Sequence, residues 1–331
     1  MSAGERCDAL VVGTGVSGLA CALRLAEAGF SVAAWERRDV AQEVSSVAAA
    51  VWYPYEVAGG APVERWAFET LRELERLAAD PATGVALRRG VEWFPPGVEP
   101  PAFLRALPEH AEVAPASLHP ARARGVRLRL PVADTGRFLP WLRARCAALG
   151  VRFARREVAS LGEALEHAPL VVNCTGLAAR ELCRDRSLFP IRGQVLLVDG
   201  ALTQEFTFDD HDGGPCYAIP RGRDVVLGGS AGPGREDLEP DPAETGAILA
   251  RARRFFPALG AADVRAVKVG LRPGRPAVRL EAEVPRPGRV LIHDYGHGGA
   301  GVTLAFGCAS EVLRLARQAL PGVESRGGGP P

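Results

Sequence analysis

A chain of 331 residues is too long for one small core, and length alone points to about two domains. With 47% hydrophobic and 24% charged residues it has the balance of an ordinary globular protein. Its 40 basic and 39 acidic side chains leave a formal net charge of +1, which removes any electrostatic reason to expect nucleic acid or an anionic membrane as a partner.

The first predicted element is a buried parallel strand, the apolar run Ala9-Leu10-Val11-Val12. It leads into Gly13-Thr14-Gly15-Val16-Ser17-Gly18. Leu19, Ala22, Leu23, Leu25 and Ala26 then recur at helical spacing up to Gly29, read as the helix C-cap. A second strand, Ser31 to Trp35, ends at Glu36. Each part has a role in holding a dinucleotide: Gly13 permits the tight turn, Gly15 lets a pyrophosphate approach the backbone, and Gly18 lets helix and strand pack closely. The helix start, at Val16 and Ser17, offers unpaired N–H groups and a positive dipole end to phosphates. Glu36, 18 residues beyond Gly18, is placed to accept from ribose hydroxyls and would repel a 2′-phosphate, which disfavours NADP. This unit by itself does not separate NAD from FAD.

Residues 41–60 read as a loop and short helix lying against a cofactor, and Val63 to Ala79 as a helix. Residues 84–132 read as several short segments broken by Pro and Gly. Thr135 to Leu149 is an amphipathic helix entered near Asp134; Val151–Phe153 and Val158 read as strands, and Leu170 to Gly176 as a buried strand ending in a tight turn. Strand-like runs follow at Gln194–Val198, Tyr217–Ile219 and Val225–Leu227, with turns such as Asp212-Gly213-Gly214-Pro215 between them. Ala243–Phe256 is helical, Val290–Ile292 is a strand, and a glycine-rich stretch from Tyr295 to Thr303 precedes a last helix from about Leu304 to Leu320.

The order predicts an α/β (α+β, two-domain) protein: a discontinuous Rossmann-type domain of residues 1–60, 134–190 and 265–320, and a β-rich substrate domain of 61–133 and 191–264. The tail 321–331, ending Gly327-Gly328-Gly329-Pro330-Pro331, reads as disordered and carries no peroxisomal address. Seven scattered cysteines without a CxxC pair give no metal-ligand spacing, so no metal is expected; their odd count argues against a complete disulfide framework and leaves one internal disulfide open. No signal-peptide pattern and no apolar run of ~20 residues is seen, which reads as a bacterial cytoplasmic protein.

Several segments together resemble the D-amino-acid oxidase family, which includes D-aspartate oxidase. They are Val47-Ala48-Ala49-Ala50-Val51-Trp52 with Pro54-Tyr55, Val172-Asn173-Cys174-Thr175-Gly176, Arg192-Gly193-Gln194, Tyr217-Ala218-Ile219-Pro220, Gly270-Leu271-Arg272-Pro273, and His293-Asp294-Tyr295-Gly296-His297-Gly298-Gly299 through Thr303. The resemblance implies an FAD-dependent oxidase whose partners are a D-amino acid and molecular oxygen. The α-hydrogen would pass as hydride to flavin N5, and a 2-oxo acid, ammonia and hydrogen peroxide would result. It places FAD against Gly13, Gly15, Val16, Ser17, Gly18, Glu36, Arg37, Ser45, Ser46, Ala49, Ala50, Val51, Val158, Thr175, Gly176, Gly270, and Gly298, Gly299, Ala300, Gly301, Val302 and Thr303. Arg272 takes the position of the arginine that binds the substrate carboxylate, Tyr217 adds a second carboxylate contact, and the Gly299 carbonyl receives the amine. A guanidinium fork matches a carboxylate bidentately, although an arginine in such a turn is most often a structural ion pair, and a tyrosine opening a strand is ordinarily packing. His297 reads as a hydrogen-bonded loop residue and not as a base.

Departures concern substrate choice. Gly213 stands where vertebrate members carry a second active-site tyrosine, which implies a shortened lid, and Tyr53 replaces a glutamine at the pocket wall. Neutral or apolar D-amino acids are the expected substrates. A D-aspartate or D-glutamate preference needs a further cation, with Arg221, Arg223 and Arg275 as candidates; glycine or a secondary amine is a further alternative, and a homodimer is left open.

Overall fold

The computed structural model describes residues 7–55, 57, 60–113, 124–211 and 213–320; the tail at 321–331 and Asp212 lie outside the described residues. The first apolar run forms β1 (Ala9–Val12), followed by α1 (Val16–Glu27) and β2 (Val32–Glu36). α2 (Ala61–Leu77), β3 (Val85–Phe94), β4 (His110–Val113) and β5 (Arg124–Ala133) come next. Then come α3 (Thr135–Ala148), β6 (Arg152–Arg155), α4 (Leu161–His167), β7 (Leu170–Asn173) and α5 (Ala179–Leu182). A run of strands follows: β8 (Phe189–Asp199), β9 (Phe206–Phe208), β10 (Tyr217–Pro220), β11 (Asp224–Gly228) and β12 (Gly232–Pro233). The last elements are α6 (Pro242–Ala252), β13 (Ala266–Gly274), β14 (Arg279–Arg286), β15 (Arg289–Tyr295) and α7 (Gly301–Ala319).

Among the described residues the strands form two sheets, of six and nine strands. The smaller has the order β14-β15-β7-β1-β2-β6, with Val11 of β1 opposite Ala34 of β2 on one side and Val172 of β7 on the other, all parallel. Ala9 and Val11 pack with apolar residues of α1 and α7, whereas Leu10 and Val12 pack with Leu161, Ala164 and Leu165 of α4. Helices therefore cover both faces, which is why β1 is apolar at every position. The chain leaves β1 to one side for β2 and returns on the other side for β7, so the crevice beyond these strand ends is a topological switch point, where such sheets bind ligands.

The larger sheet runs β12-β8-β11-β10-β9-β3-β5-β4, with β13 on β8. Here the structure amends three expectations. The described residues of 84–132 hold long strands as well as the short segments expected: β3 and β5 pair from Val85–Ala133 to Phe94–Arg124, beside the four-residue β4. Gly90 and Gly125 sit inside these strands, under aromatic rings; a Cβ would come 2.2 Å from Phe206 at the first and 2.8 Å from Trp93 at the second. Residues 266–274, expected with the dinucleotide unit, pair along β8 from Ala266–Leu197 to Gly274–Phe189, because a strand pattern specifies a face and not a partner. Val158 is not in a strand; it follows β6 as irregular backbone.

α2 packs on α7, within the helical layer over the six-stranded sheet. Gly307 of α7 lies against the backbone of Trp66, where a Cβ would come 2.2 Å from the carbonyl oxygen, and its N–H donates to Thr70 Oγ1 at 2.9 Å. All seven cysteines are free, and no described helix is long and apolar enough to cross a membrane.

Candidate active site

The glycine loop after β1 is a cradle without room for side chains. Gly13 takes φ +98°, and a Cβ there would come 2.4 Å from the Cys174 carbonyl oxygen just past β7; at Gly18 it would come 1.8 Å from the carbonyl oxygen of Gly13. The helices α3, α4 and α6 are capped by side chains, Asp134 accepting from Gly136, Ser160 from Glu163, and Asp241 from Ala243. No N-cap side chain covers the starts of α1, after Gly15, and α7, after Ala300. These two N-termini adjoin, since a Cβ at Gly301 would lie 3.8 Å from Val16 Cγ1. In the loop before α1, the buried Thr14 Oγ1 has no hydrogen-bond partner. Two adjoining positive dipole ends, with no cap from their own N-cap residues, and an unmet hydroxyl fit a phosphate-bearing cofactor.

Other expected cofactor contacts gather around this cradle. Ser45 Oγ accepts from the Val16 N–H at 3.1 Å, and the Ser46 carbonyl accepts from Thr135 Oγ1 at 2.9 Å. Ala49 leads into Ala50, which takes φ +58°, and Val51 bridges to Val132 of β5. Glu36 is held by Arg143 of α3 at 3.0 Å, a contact that orients the carboxylate and leaves lone pairs for ribose hydroxyls. Thr175 donates from both N–H and Oγ1 to Asn173 Oδ1, at 3.2 and 2.7 Å, which sets the turn into Gly176. The Gly298 N–H donates to the Pro273 carbonyl at 2.9 Å, joining the last glycine loop to β13. In the first turn of α7, after Val302, Thr303 Oγ1 donates to the Tyr53 carbonyl at 2.8 Å and accepts from its N–H at 3.1 Å. Gly270 reaches this region through Val47, to which a Cβ would come 3.4 Å. Arg37 is exposed, 3.9 Å from Glu157, and Val158 stands apart, packed with the apolar cluster under α4.

The residues expected on the substrate side, Tyr217 and Arg272, meet on one face of the larger sheet. The Tyr217 ring lies over two glycines: a Cβ at Gly228 would come 1.8 Å from Cζ, and one at Gly229 2.8 Å from the hydroxyl. Arg272 lies over Gly193 in the same way, 2.3 Å from a Cβ placed there. Its guanidinium donates to the Ser230 carbonyl at 3.1 Å and sits 5.8 Å from the ring centroid of Tyr55. Tyr55 in turn covers Gly299, where a Cβ would come 2.6 Å from Cδ1. Among the described residues no carboxylate pairs with Arg272. Its neighbours differ: Arg192 bonds Glu244 at 2.6 Å, Arg275 bonds Asp185 at 2.9 Å, and Arg221 donates to the Ala48 carbonyl and Thr135 Oγ1. Burial pushes the Tyr217 hydroxyl above its ordinary range, with the Arg272 charge opposing, so it stays a protonated donor. His297 is buried with Nε2 3.0 Å from Asp294 Oδ1, a bond internal to the loop.

Glu92, which sequence reasoning passed over, stands on this same face. It lies on β3 opposite Phe208, which lies opposite Tyr217, so the three side chains form one row. Glu92 is 7% exposed; its Oε1 accepts from the Tyr53 hydroxyl at 2.8 Å, and its Oε2 has no partner. Burial raises its ionisation to about 7, the Tyr53 hydrogen bond opposing and the Asp210 charge assisting. Tyr53 packs its ring on Phe103 and Phe208, at 5.2 and 5.4 Å between centroids. The only trace in the sequence is one acid inside the apolar run Val91-Glu92-Trp93-Phe94.

A family model described as FAD dependent oxidoreductase matches residues 8–315. A D-amino-acid oxidase of Rubrobacter xylanophilus is 45% identical over 316 residues, covering 94% of this chain and 96% of its own length. One from Streptomyces coelicolor is 41% identical over 312 residues, covering 93% and 96%. Glycine oxidase from Geobacillus kaustophilus shares the fold with a TM-score of 0.79 at 20% identity, covering 96% of each chain. With a dinucleotide cradle at the switch point and a match along nearly its whole length, the chain belongs to the D-amino-acid oxidase family of FAD-dependent oxidoreductases.

Proposed function

We propose that this protein oxidatively deaminates D-amino acids, giving a 2-oxo acid, ammonia and hydrogen peroxide. The observation that carries the reading is Arg272: a guanidinium laid over Gly193 beside the Tyr217 hydroxyl, with spare donors and no carboxylate partner among the described residues. The two side chains bind the substrate carboxylate, the fork fixing its plane and the hydroxyl adding a second donor. The Gly299 carbonyl accepts from the substrate amine, which leaves the α-carbon held between the sheet and the cofactor loop. Bound FAD supplies the two-electron acceptor and, with oxygen, the route to peroxide. The apolar faces of Phe208, Phe103 and Tyr53 receive the stem of the side chain.

The cations that a D-aspartate or D-glutamate preference would need are not offered to the substrate. Arg221 and Arg275 are engaged elsewhere, Arg223 is exposed, and Glu92 would repel a second substrate carboxylate. Anaerobic addition of D-alanine should bleach the flavin spectrum of the purified protein, and air should restore it with release of peroxide; a spectrum unmoved by any D-amino acid overturns the proposal. Arg272→Ala should retain FAD and lose about 10²–10³-fold in kcat/KM, since truncating one partner of a buried charge pair costs ~2–5 kcal/mol. Loss of the flavin in that variant would contradict the role given to Arg272.

A further inference from the structure

We propose that Glu92 selects the substrate side chain, and that the site favours D-amino acids with a long, positively charged side chain, of the D-lysine and D-arginine type. This rests on the oxidase reading above and sharpens it. With the carboxylate on Arg272 and Tyr217, the side chain runs along the row Tyr217, Phe208, Glu92. Those strands are two sheet spacings apart, ~9–10 Å from Tyr217 to Glu92, a distance suited to a long side chain. Its stem would lie on Phe208 and Tyr53, and its tip would meet Glu92 Oε2.

Three features of Glu92 call for a ligand. It is more than nine-tenths buried and one of its oxygens has no donor. Asp210 places further negative charge near it. Among the described residues no arginine, lysine or histidine bonds it, although a buried carboxylate ordinarily keeps such a partner. Propping Tyr53 would account for Oε1 alone, and a neutral amide would do that equally well. An ammonium or guanidinium arriving with the substrate completes the pair, and only while the substrate is bound.

The test uses the FAD-loaded enzyme at about pH 8.5, where Glu92 is ionised; the titratable groups facing it are Tyr53 and Asp210. kcat/KM is measured for D-lysine, D-arginine, D-alanine and D-norleucine, the last having the length of lysine without the ammonium. D-Lysine should exceed D-norleucine by about tenfold or more, and Glu92→Gln should abolish that difference, mainly through the KM for D-lysine. A wild-type ratio at or below one overturns the proposal, also where the variant does not fold; so does a ratio that Glu92→Gln leaves unchanged. Turnover of D-alanine without a lysine preference overturns this proposal alone, and no turnover of any D-amino acid overturns it together with the oxidase reading.

Discussion

Burial acts on Glu92 more strongly than its hydrogen bond does, and the balance makes stability depend on pH. Its ionisation moves from an ordinary 4.5 to about 7, so the folded state favours the protonated form. The corresponding stability is fully present below about 4.5 and is lost as pH rises through about 7. Glu92→Gln removes that loss. Its stability relative to wild type should therefore rise by up to ~3 kcal/mol between about pH 5 and pH 8, read from urea unfolding at both values; an equal difference at both would refute the burial account. The glycines under Tyr217 and Arg272 give a second test. Gly228→Ala puts a methyl group where the Tyr217 ring lies, so kcat/KM should fall by about 10²-fold with the flavin spectrum intact, and unimpaired turnover would contradict the placement of the ring. Arg272, Tyr217 and Gly299 could be singled out as candidates beforehand because they sit in short contiguous motifs. Glu92 was not, because a strand acid is ordinarily a solvated one, and only the pairing of β3 with β9 turns it toward Tyr53.

At the level of elements, the helices divide by how they begin. Asp or Ser caps start α3, α4 and α6, whereas α1, α2, α5 and α7 have no side-chain N-cap, and of these only α1 and α7 begin side by side at the glycine loops. The β1-α1-β2 unit was readable residue by residue because its glycines act on the local backbone. The layer formed by α2 and α7 depends instead on Gly307, and here two effects oppose. Replacing a mid-helix glycine by alanine ordinarily gains ~1 kcal/mol, but a Cβ 2.2 Å from the Trp66 carbonyl must push α2 away. Overpacking wins, and Gly307→Ala should destabilise by ~1–3 kcal/mol in urea unfolding followed by circular dichroism. A gain in stability would mean that the helices do not meet this closely.

For the whole molecule, one apolar cluster spans both sheets. Ala9 and Val11 of β1, Leu71 and Leu74 of α2, Leu128 and Leu130 of β5, and Phe206 and Phe208 of β9 all belong to it. Smaller clusters lie under α4 and under α6, but because the largest one joins the two sheets the flavin-free protein should unfold in a single transition. Melts followed by far-ultraviolet circular dichroism and by tryptophan fluorescence, with Trp52 and Trp66 in that cluster, should coincide; two resolved transitions would contradict a shared core. FAD at about 100 times its Kd should add ~2.7 kcal/mol and raise the melting temperature.

The amino-acid sequence by itself determined what local chemistry determines: the dinucleotide loop, the entry to α3 at Asp134, and most of the longer helices and the strands of the smaller sheet. Tertiary structure decided which strands pair. It assigned β13 to the larger sheet, joined β3 and β5 along their full length, and aligned Glu92 with Phe208 and Tyr217. The physical reason is that periodicity reports which face of a strand is buried, whereas pairing depends on side chains far apart in the chain. Gly90 beneath Phe206, Gly193 beneath Arg272 and Gly228 beneath Tyr217 have meaning only once those partners are in place.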